Sequence, residues 1–240
     1  MARGYDWAFT RRDHPVPGAG ASSGPYASFN LGGGLGDDPA AVAANRAALQ
    51  TWWGPPAMPV VFMRQVHGAC VCVVDEPPVA VPECDALITT RPGLALAVLV
   101  ADCVPVLLAA ADGRAVAAVH AGRAGVCAGV VPAAVAELNR LGTSPKDIRA
   151  YLGPAIGGCC YELPAKLRDQ VAAAIPQAHA TTRWGAPALD LPAAVRAQLA
   201  SAGVDRVQAD GTCAFESAAH FSYRRDGVTG RFAGLIAIRA

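Results

Sequence analysis

The sequence has little charge, few aromatic rings and very few histidines. Only 16% of residues are charged and 6% aromatic, five are His, and the formal net charge is +1. Such a balance offers no field for nucleic acid and no polybasic patch for a membrane. The longest apolar run, LALAVLVADCVPVLLAAA, is interrupted by Asp102 and Pro105 and does not read as a transmembrane helix. The N-terminal MARGYDWAFTRRD lacks the apolar segment of a secretory signal, so a cytoplasmic protein is expected, and a monomer. Several chemistries lack their motifs: there is no GxSxG elbow, no GxxxxGK[ST] loop and no HExxH. The H-x-E…P-C-x-x-C deaminase pattern is missing too. Five histidines are too few for a multinuclear copper cluster.

What is abundant is core. The chain is 53% hydrophobic over 240 residues, which suits one large globular domain spanning 1–240. Eight cysteines stand at 70, 72, 84, 103, 127, 159, 160 and 213. A chain of this size does not need disulfides to hold its core, and Cys159 and Cys160 are adjacent. Reduced thiols are expected, most of them acting as small core hydrophobes.

Strand patterns occur at 5–11, 59–68, 69–75, 112–120, 148–156, 204–211, 220–227 and 231–240, with further strand segments within 84–110. Helices are expected at 37–53, with Asp37 or Asp38 as cap and Pro39 in the first turn. Others are expected at 124–142 with Gly142 at the C-terminus, at 163–176, and at 188–203 capped by Asp190. Residues 14–39 form a Gly/Pro-rich loop whose embedded YASFNLG suggests order and a substrate-facing role. Helices and strands mix without strict alternation, which predicts an α+β, mixed-sheet layered fold.

Residues 99–125 read LVADCVPVLLAAADGRAVAAVHAGRAG. An acid, a thiol and an imidazole stand where a core strand wants only Val and Leu. His120 and His67 each end an apolar segment and are followed by a Gly turn (AVHAG, RQVHG). Such strand ends point side chains into clefts. With Cys103 they form a two-His, one-Cys set. Zinc accepts these donors and keeps a fourth position open for water or substrate. Copper is the alternative metal, with Met63 as a weak axial ligand. Ordinary packing of the three side chains and a metal-free Cys103–His nucleophile pair are further alternatives. Asp102 is placed to orient a ligand His or a substrate hydroxyl, or simply to cap a strand end. The AGRAG turn containing Arg123 is either an anion site or a plain strand-to-helix connection. Arg46, Arg64 and the group Arg224, Arg225 and Arg231 suit phosphate or carboxylate. Phe221 and Tyr223 suit base stacking or strand packing equally. His14 and His179 read as surface residues, and His220 as packing or binding.

Taken together, PYASFNLGGGLGDDPAAVAANRAAL, RQVHG, DALITTRPGLALAVLVADCVPVLL, AVHAG, GPAIGGCCYEL and FSYRRDGVTGRFA resemble the laccase-domain, or multicopper polyphenol oxidoreductase, family. Its members are also named purine nucleoside phosphorylase and peptidoglycan editing factor. The resemblance covers nearly the whole chain. It implies a layered α/β/β/α sandwich similar to cytotoxic necrotizing factor deamidases, and a zinc site at His67, Cys103 and His120. It implies phosphorolysis of adenosine, inosine, guanosine and methylthioadenosine, with adenosine deamination as a second activity and peptidoglycan editing as a cellular role. Asn30, Arg46, Arg64, Asp102, Arg123, Phe221 and Arg225 become the candidate contacts for nucleoside and phosphate. The family's usual HAGWRG is HAGRAG here, which places Arg123 and Ala124 at the Trp and Arg positions, and Gly34 replaces a usual His. The competing expectations are a copper-binding polyphenol oxidase, a non-catalytic metabolite-binding protein and a metal-free Cys–His hydrolase.

Overall fold

The computed structural model describes residues 4–13, 15, 18, 20–54 and 58–239, and His14 lies outside them. In chain order the elements are β1 (Tyr5–Phe9), α1 (Pro39–Trp53), β2 (Val60–Val61), β3 (Val71–Val73), β4 (Ala86–Thr89), β5 (Ala95–Val100), β6 (Val104–Ala110) and β7 (Val116–Ala121). Then follow α2 (Arg123–Ala128), α3 (Val130–Arg140), β8 (Ile148–Leu152), α4 (Ala165–Ala174), β9 (His179–Thr181) and β10 (Pro187–Leu189). The chain closes with α5 (Leu191–Ser201), β11 (Arg206–Ala209), α6 (Tyr223–Asp226) and β12 (Phe232–Ile238).

Two mixed sheets dominate, one ordered β1-β12-β5-β2 and the other β11-β8-β6-β7-β4-β3. Strict alternation in the strands sorts side chains between three cores. On β6, Leu107 and Ala109 face the other sheet, while Val106 and Leu108 face the helices. On β5, Leu96 and Val98 lie between the sheets, and Ala97 packs outward with Leu49 of α1. Helices α3 and α5 cover the far side of the larger sheet through Val131, Leu138, Val195 and Leu199. The layers are therefore helix, sheet, sheet, helix, as the resemblance implies. Each fully buried leucine such as Leu107 is worth on the order of 2–5 kcal/mol, by the cost of truncation to alanine. Among the described residues no helix is long and apolar enough to cross a membrane.

Several boundaries differ from the sequence expectation, each for a local reason. The segment 59–68 is not one strand. β2 pairs with β5 for two residues. Beyond it the Gln65 side chain takes over the ladder, accepting from Leu99 N–H at 2.9 Å and donating to Leu99 C=O at 2.7 Å. The expected helix 124–142 is broken at Gly129, whose φ of +84° closes α2 and opens α3. The expected strand 220–227 is instead the short helix α6: Ser222 caps it, its hydroxyl accepting from Arg225 N–H at 3.2 Å. The Asp caps behave as the spacing predicts, Asp38 accepting from Ala40 N–H and Asp190 from Ala193 N–H.

Candidate metal centre

The long apolar run around Cys103 is two strands in different sheets. β5 lies in the smaller sheet and β6 in the larger, and residues 101–103 carry the chain across. Asp102 makes that turn at φ +89°, and His67 sits at φ +58°. These are the non-glycine residues with left-handed backbone among those described. Such conformations cost about 1–3 kcal/mol each and persist where surrounding bonds enforce them. Asp102 is held by the Ser222 hydroxyl and the Arg224 N–H, both donating to its carboxylate at 2.6 Å. Its backbone carbonyl accepts from Ile156 N–H at 2.9 Å. Asp102 thus anchors α6 beside Cys103, and its carboxylate is taken up by that work.

His67 is held by Asp85, which the sequence reading did not single out. The Asp85 carboxylate accepts backbone N–H bonds from Val66, His67 and Gly68 at 3.3, 2.9 and 2.7 Å. Its Oδ1 also lies 2.8 Å from His120 Nδ1. Burial works against charge on Asp85, but His120 and the N–H groups of Gly68 and Val66 outweigh it and hold the carboxyl below its usual range. On His120 burial likewise opposes charge, yet Asp85 and Cys103 outweigh it and raise the imidazole to about 9. With Nδ1 committed to Asp85, Nε2 is the nitrogen free for a metal. This carboxylate–histidine arrangement is the usual support of a metal-ligating imidazole. His67 moves the other way: burial and the neighbouring His120 lower it.

The structure brings His67, Cys103 and His120 together, with one donor atom of each within 4.8 Å of the others. The two imidazole centroids are 4.7 Å apart at 75°. Gly122 keeps open the space beside His67 and Cys103. A Cβ there would stand 2.6 Å from His67 Nδ1 and 3.0 Å from Cys103 Sγ. Two imidazoles and a cysteine sulfur within reach of one another, with room beside His67 and Cys103 that a methyl would fill, suit a metal ion that accepts nitrogen and sulfur, such as zinc or copper. Met63 lines the same cleft, but its Sδ receives the Cys84 thiol at 3.9 Å.

The trio opens into a cleft of about 660 Å³ whose walls include Arg46, Arg64, Tyr161, Tyr223, Arg224 and Arg231. Arg46 lies 4.2 Å over the Phe62 ring and donates from Nε to Leu31 C=O. Arg64 is exposed and pairs with Glu83. Arg224 lies 4.9 Å over Tyr161, and Arg231 donates to the carbonyls of Thr229 and Gly230. The side walls are thus cationic. Arg123 begins α2, close enough to His67 and Tyr161 to act on both electrostatically.

Other candidates lie elsewhere. Asn30 is fully buried and binds Gly32, Asp37 and Arg231 N–H. Phe221 is fully buried, with Arg12 5.3 Å from its ring centroid, so no face of it reaches the cleft. Arg225 spends its guanidinium on Asp226 and on the carbonyls of Ala214, Phe215, Ser217 and His220. Asp85 had one sequence signal, an acid directly before the buried strand ALIT. Tyr161 had none beyond residue type, whereas Arg231 stands in the arginine group that the sequence marks for an anion.

Comparison with known proteins places the chain among named relatives. Residues 7–239 match the family model for multi-copper polyphenol oxidoreductase laccase. A Streptomyces coelicolor protein named purine nucleoside phosphorylase is 54% identical over 220 residues, 90% of each chain. One of the same name from Mycobacterium tuberculosis is 48% identical over 227 residues, 94% of this chain and 91% of that one. The crystal structure of YlmD from Geobacillus stearothermophilus matches with a TM-score of 0.90 at 35% identity, covering 99% of this chain and 93% of that one. The chain belongs to the multi-copper polyphenol oxidoreductase laccase family.

Proposed function

We propose that the chain is a zinc-dependent purine nucleoside phosphorylase. The observation that carries this reading is the opening of the His67–Cys103–His120 trio into a cleft walled by Arg46, Arg64, Arg224 and Arg231. The cleft, about 660 Å³, falls in the range of small-molecule sites, roughly 300–1,000 Å³. The name carried by relatives 48% and 54% identical supports the substrate class. Bound there, zinc supplies Lewis acidity toward an oxygen of the substrate.

The chain's own residues do the rest. Arg46 and Arg231, largely desolvated, hold phosphate oxygens through charge-assisted donors. Arg224 and the exposed ring of Tyr223 border the nucleoside. Asp85 keeps His67 and His120 in place. A phosphate oxygen forms a bond to the anomeric carbon as the bond from that carbon to the purine nitrogen breaks. The electron pair leaves with the base, which takes up a proton, giving free purine and ribose 1-phosphate.

The deciding experiment is chromatography of products from adenosine with and without phosphate, on protein of measured zinc content. Adenine formed only with phosphate is the expected result. Inosine formed regardless of phosphate would replace phosphorolysis by hydrolytic deamination. Neither product from zinc-loaded protein would overturn the reading and favour a metabolite-binding protein.

A further inference from the structure

A second group of donors lies outside the cleft. β8 and β11 are parallel neighbours, so the loops that follow them start side by side. A bridge between Ala155 and Cys213 ties those loops, with Ala214 N–H donating to Ala155 C=O at 2.9 Å. One loop carries Cys159 and Cys160, the other Cys213 and Glu216. Donor atoms from all four lie within 4.8 Å of one another. Cys159 Sγ is 3.5 Å from Cys160 Sγ and 3.8 Å from Glu216 Oε2. The Gly157 N–H donates to Cys213 Sγ at 3.3 Å. All three cysteines are free thiols.

We propose that Cys159, Cys160, Cys213 and Glu216 form a second zinc site, structural rather than catalytic. The proposal stands on this geometry and does not depend on the reaction assigned to the cleft. Zinc–sulfur bonds of about 2.3 Å in a tetrahedron put neighbouring donors roughly 3.8 Å apart, close to the 3.5 and 3.8 Å that separate Cys159 Sγ from Cys160 Sγ and Glu216 Oε2. Four protein donors close the shell, the pattern of a structural site, and thiolates select a thiophilic cation. Room is built in: a Cβ at Gly157 would stand 3.1 Å from Cys159 Sγ and 3.7 Å from Cys213 Sγ. Arg183 pairs with Glu216 Oε1 and leaves Oε2 toward Cys159, and its N–H donates to Cys159 C=O at 3.0 Å. Binding releases the three thiol protons to solvent as the sulfurs become thiolates. The divalent cation and Arg183 together offset most of the resulting negative charge.

The site would staple the loop before Tyr161 to the loop that Arg225 grips through the carbonyls of Ala214, Phe215 and Ser217. Arg225 is next to Arg224, which lines the cleft. The staple therefore holds one wall of the cleft in place from behind.

The test is metal analysis of the full-length protein purified under reducing conditions with zinc present. We expect about two zinc ions per chain in the wild type, and about one in Cys103→Ala, Cys159→Ser and Cys213→Ser. With cobalt as probe, losing the second site removes about three quarters of the sulfur-to-metal absorption, because three of the four metal-bound thiolates lie there. A readout on wild-type protein alone covers the case of a variant that fails to fold. Cys159 and Cys213 should resist alkylation in the zinc-loaded protein and react after chelation, while exposed Cys70 and Cys127 react in both and buried Cys160 in neither. A single zinc that vanishes entirely in Cys103→Ala would overturn the proposal. So would alkylation of Cys159 and Cys213 unchanged by chelation, or a disulfide between any two of Cys159, Cys160 and Cys213 in the freshly reduced protein.

Discussion

Asp85 Oδ1 lies 2.8 Å from His120 Nδ1, and both side chains are buried. The same carboxylate accepts the backbone N–H of His67, so one residue positions two of the three metal-binding candidates. Removing one partner of such a pair leaves the other buried and uncompensated.

Asp85→Asn should therefore weaken zinc at the His67–Cys103–His120 centre by about 10–100-fold, the usual effect of losing an orienting carboxylate. Competition with a chromophoric chelator measures it. Unchanged affinity would show that His120 holds its orientation without the carboxylate.

Gly122 has an ordinary φ of −79°, so alanine fits its backbone. Only the Cβ intrudes, 2.6 Å from His67 Nδ1. Gly122→Ala should keep the fold, with a Tm close to wild type, and lose zinc from this centre. Calorimetry and metal analysis on the same sample separate the two effects.

Cys103→Ala should abolish metal at the trio and phosphorolysis together. Chelation of the wild type should do the same, with activity restored by zinc. Full turnover in a metal-free Cys103→Ala protein would rule out the zinc assignment. Recovery with copper but not zinc would assign copper rather than zinc to the site.

Arg46 is held over Phe62 and against Leu31 C=O, facing the cleft with its charge desolvated. Arg46→Met keeps the stem and removes the charge. A lost charge-assisted hydrogen bond of about 1.5–3 kcal/mol should raise the KM for phosphate at least tenfold. Initial rates at varied phosphate test it, with the KM for nucleoside as the internal control.

His220 is buried against Phe232, with its Nδ1 3.0 Å from the Ser217 hydroxyl. Burial, reinforced by Arg11 and Arg225 and opposed by Asp210, lowers its pKa below 6.5. The unfolded chain then takes the proton first as pH falls through 6.5, so stability declines below that pH. Thermal melts between pH 7.5 and 5.5 should show a smaller decline in His220→Asn than in the wild type.

The parts of this molecule legible in the sequence are those written by neighbouring residues. Asp38 and Asp190 cap their helices because a carboxylate needs only the N–H groups two or three positions ahead. β6 and β7 read as buried strands because each is a short, nearly continuous apolar run bounded by turns. His67, Cys103 and His120 were visible as reactive residues where an apolar segment meets a turn.

What only the tertiary structure decided depends on residues far apart in the chain. The run through Cys103 divides between two sheets because β5 finds β12 and β2 while β6 finds β7 and β8, and those partners leave no local mark. Residues 220–227 alternate like a strand. They fold into a helical turn because Asp102, some 120 positions away, takes the Ser222 hydroxyl and the Arg224 N–H. Asp85 was missed for the same reason: it meets His120 across 35 residues. The sequence by itself determined the mixed strand and helix content through short-range patterning and capping, and marked the candidate ligands by residue type at strand ends. The pairing of sheets and the aim of each carboxylate followed from long-range packing, where a buried charge must find its partner wherever the fold places it.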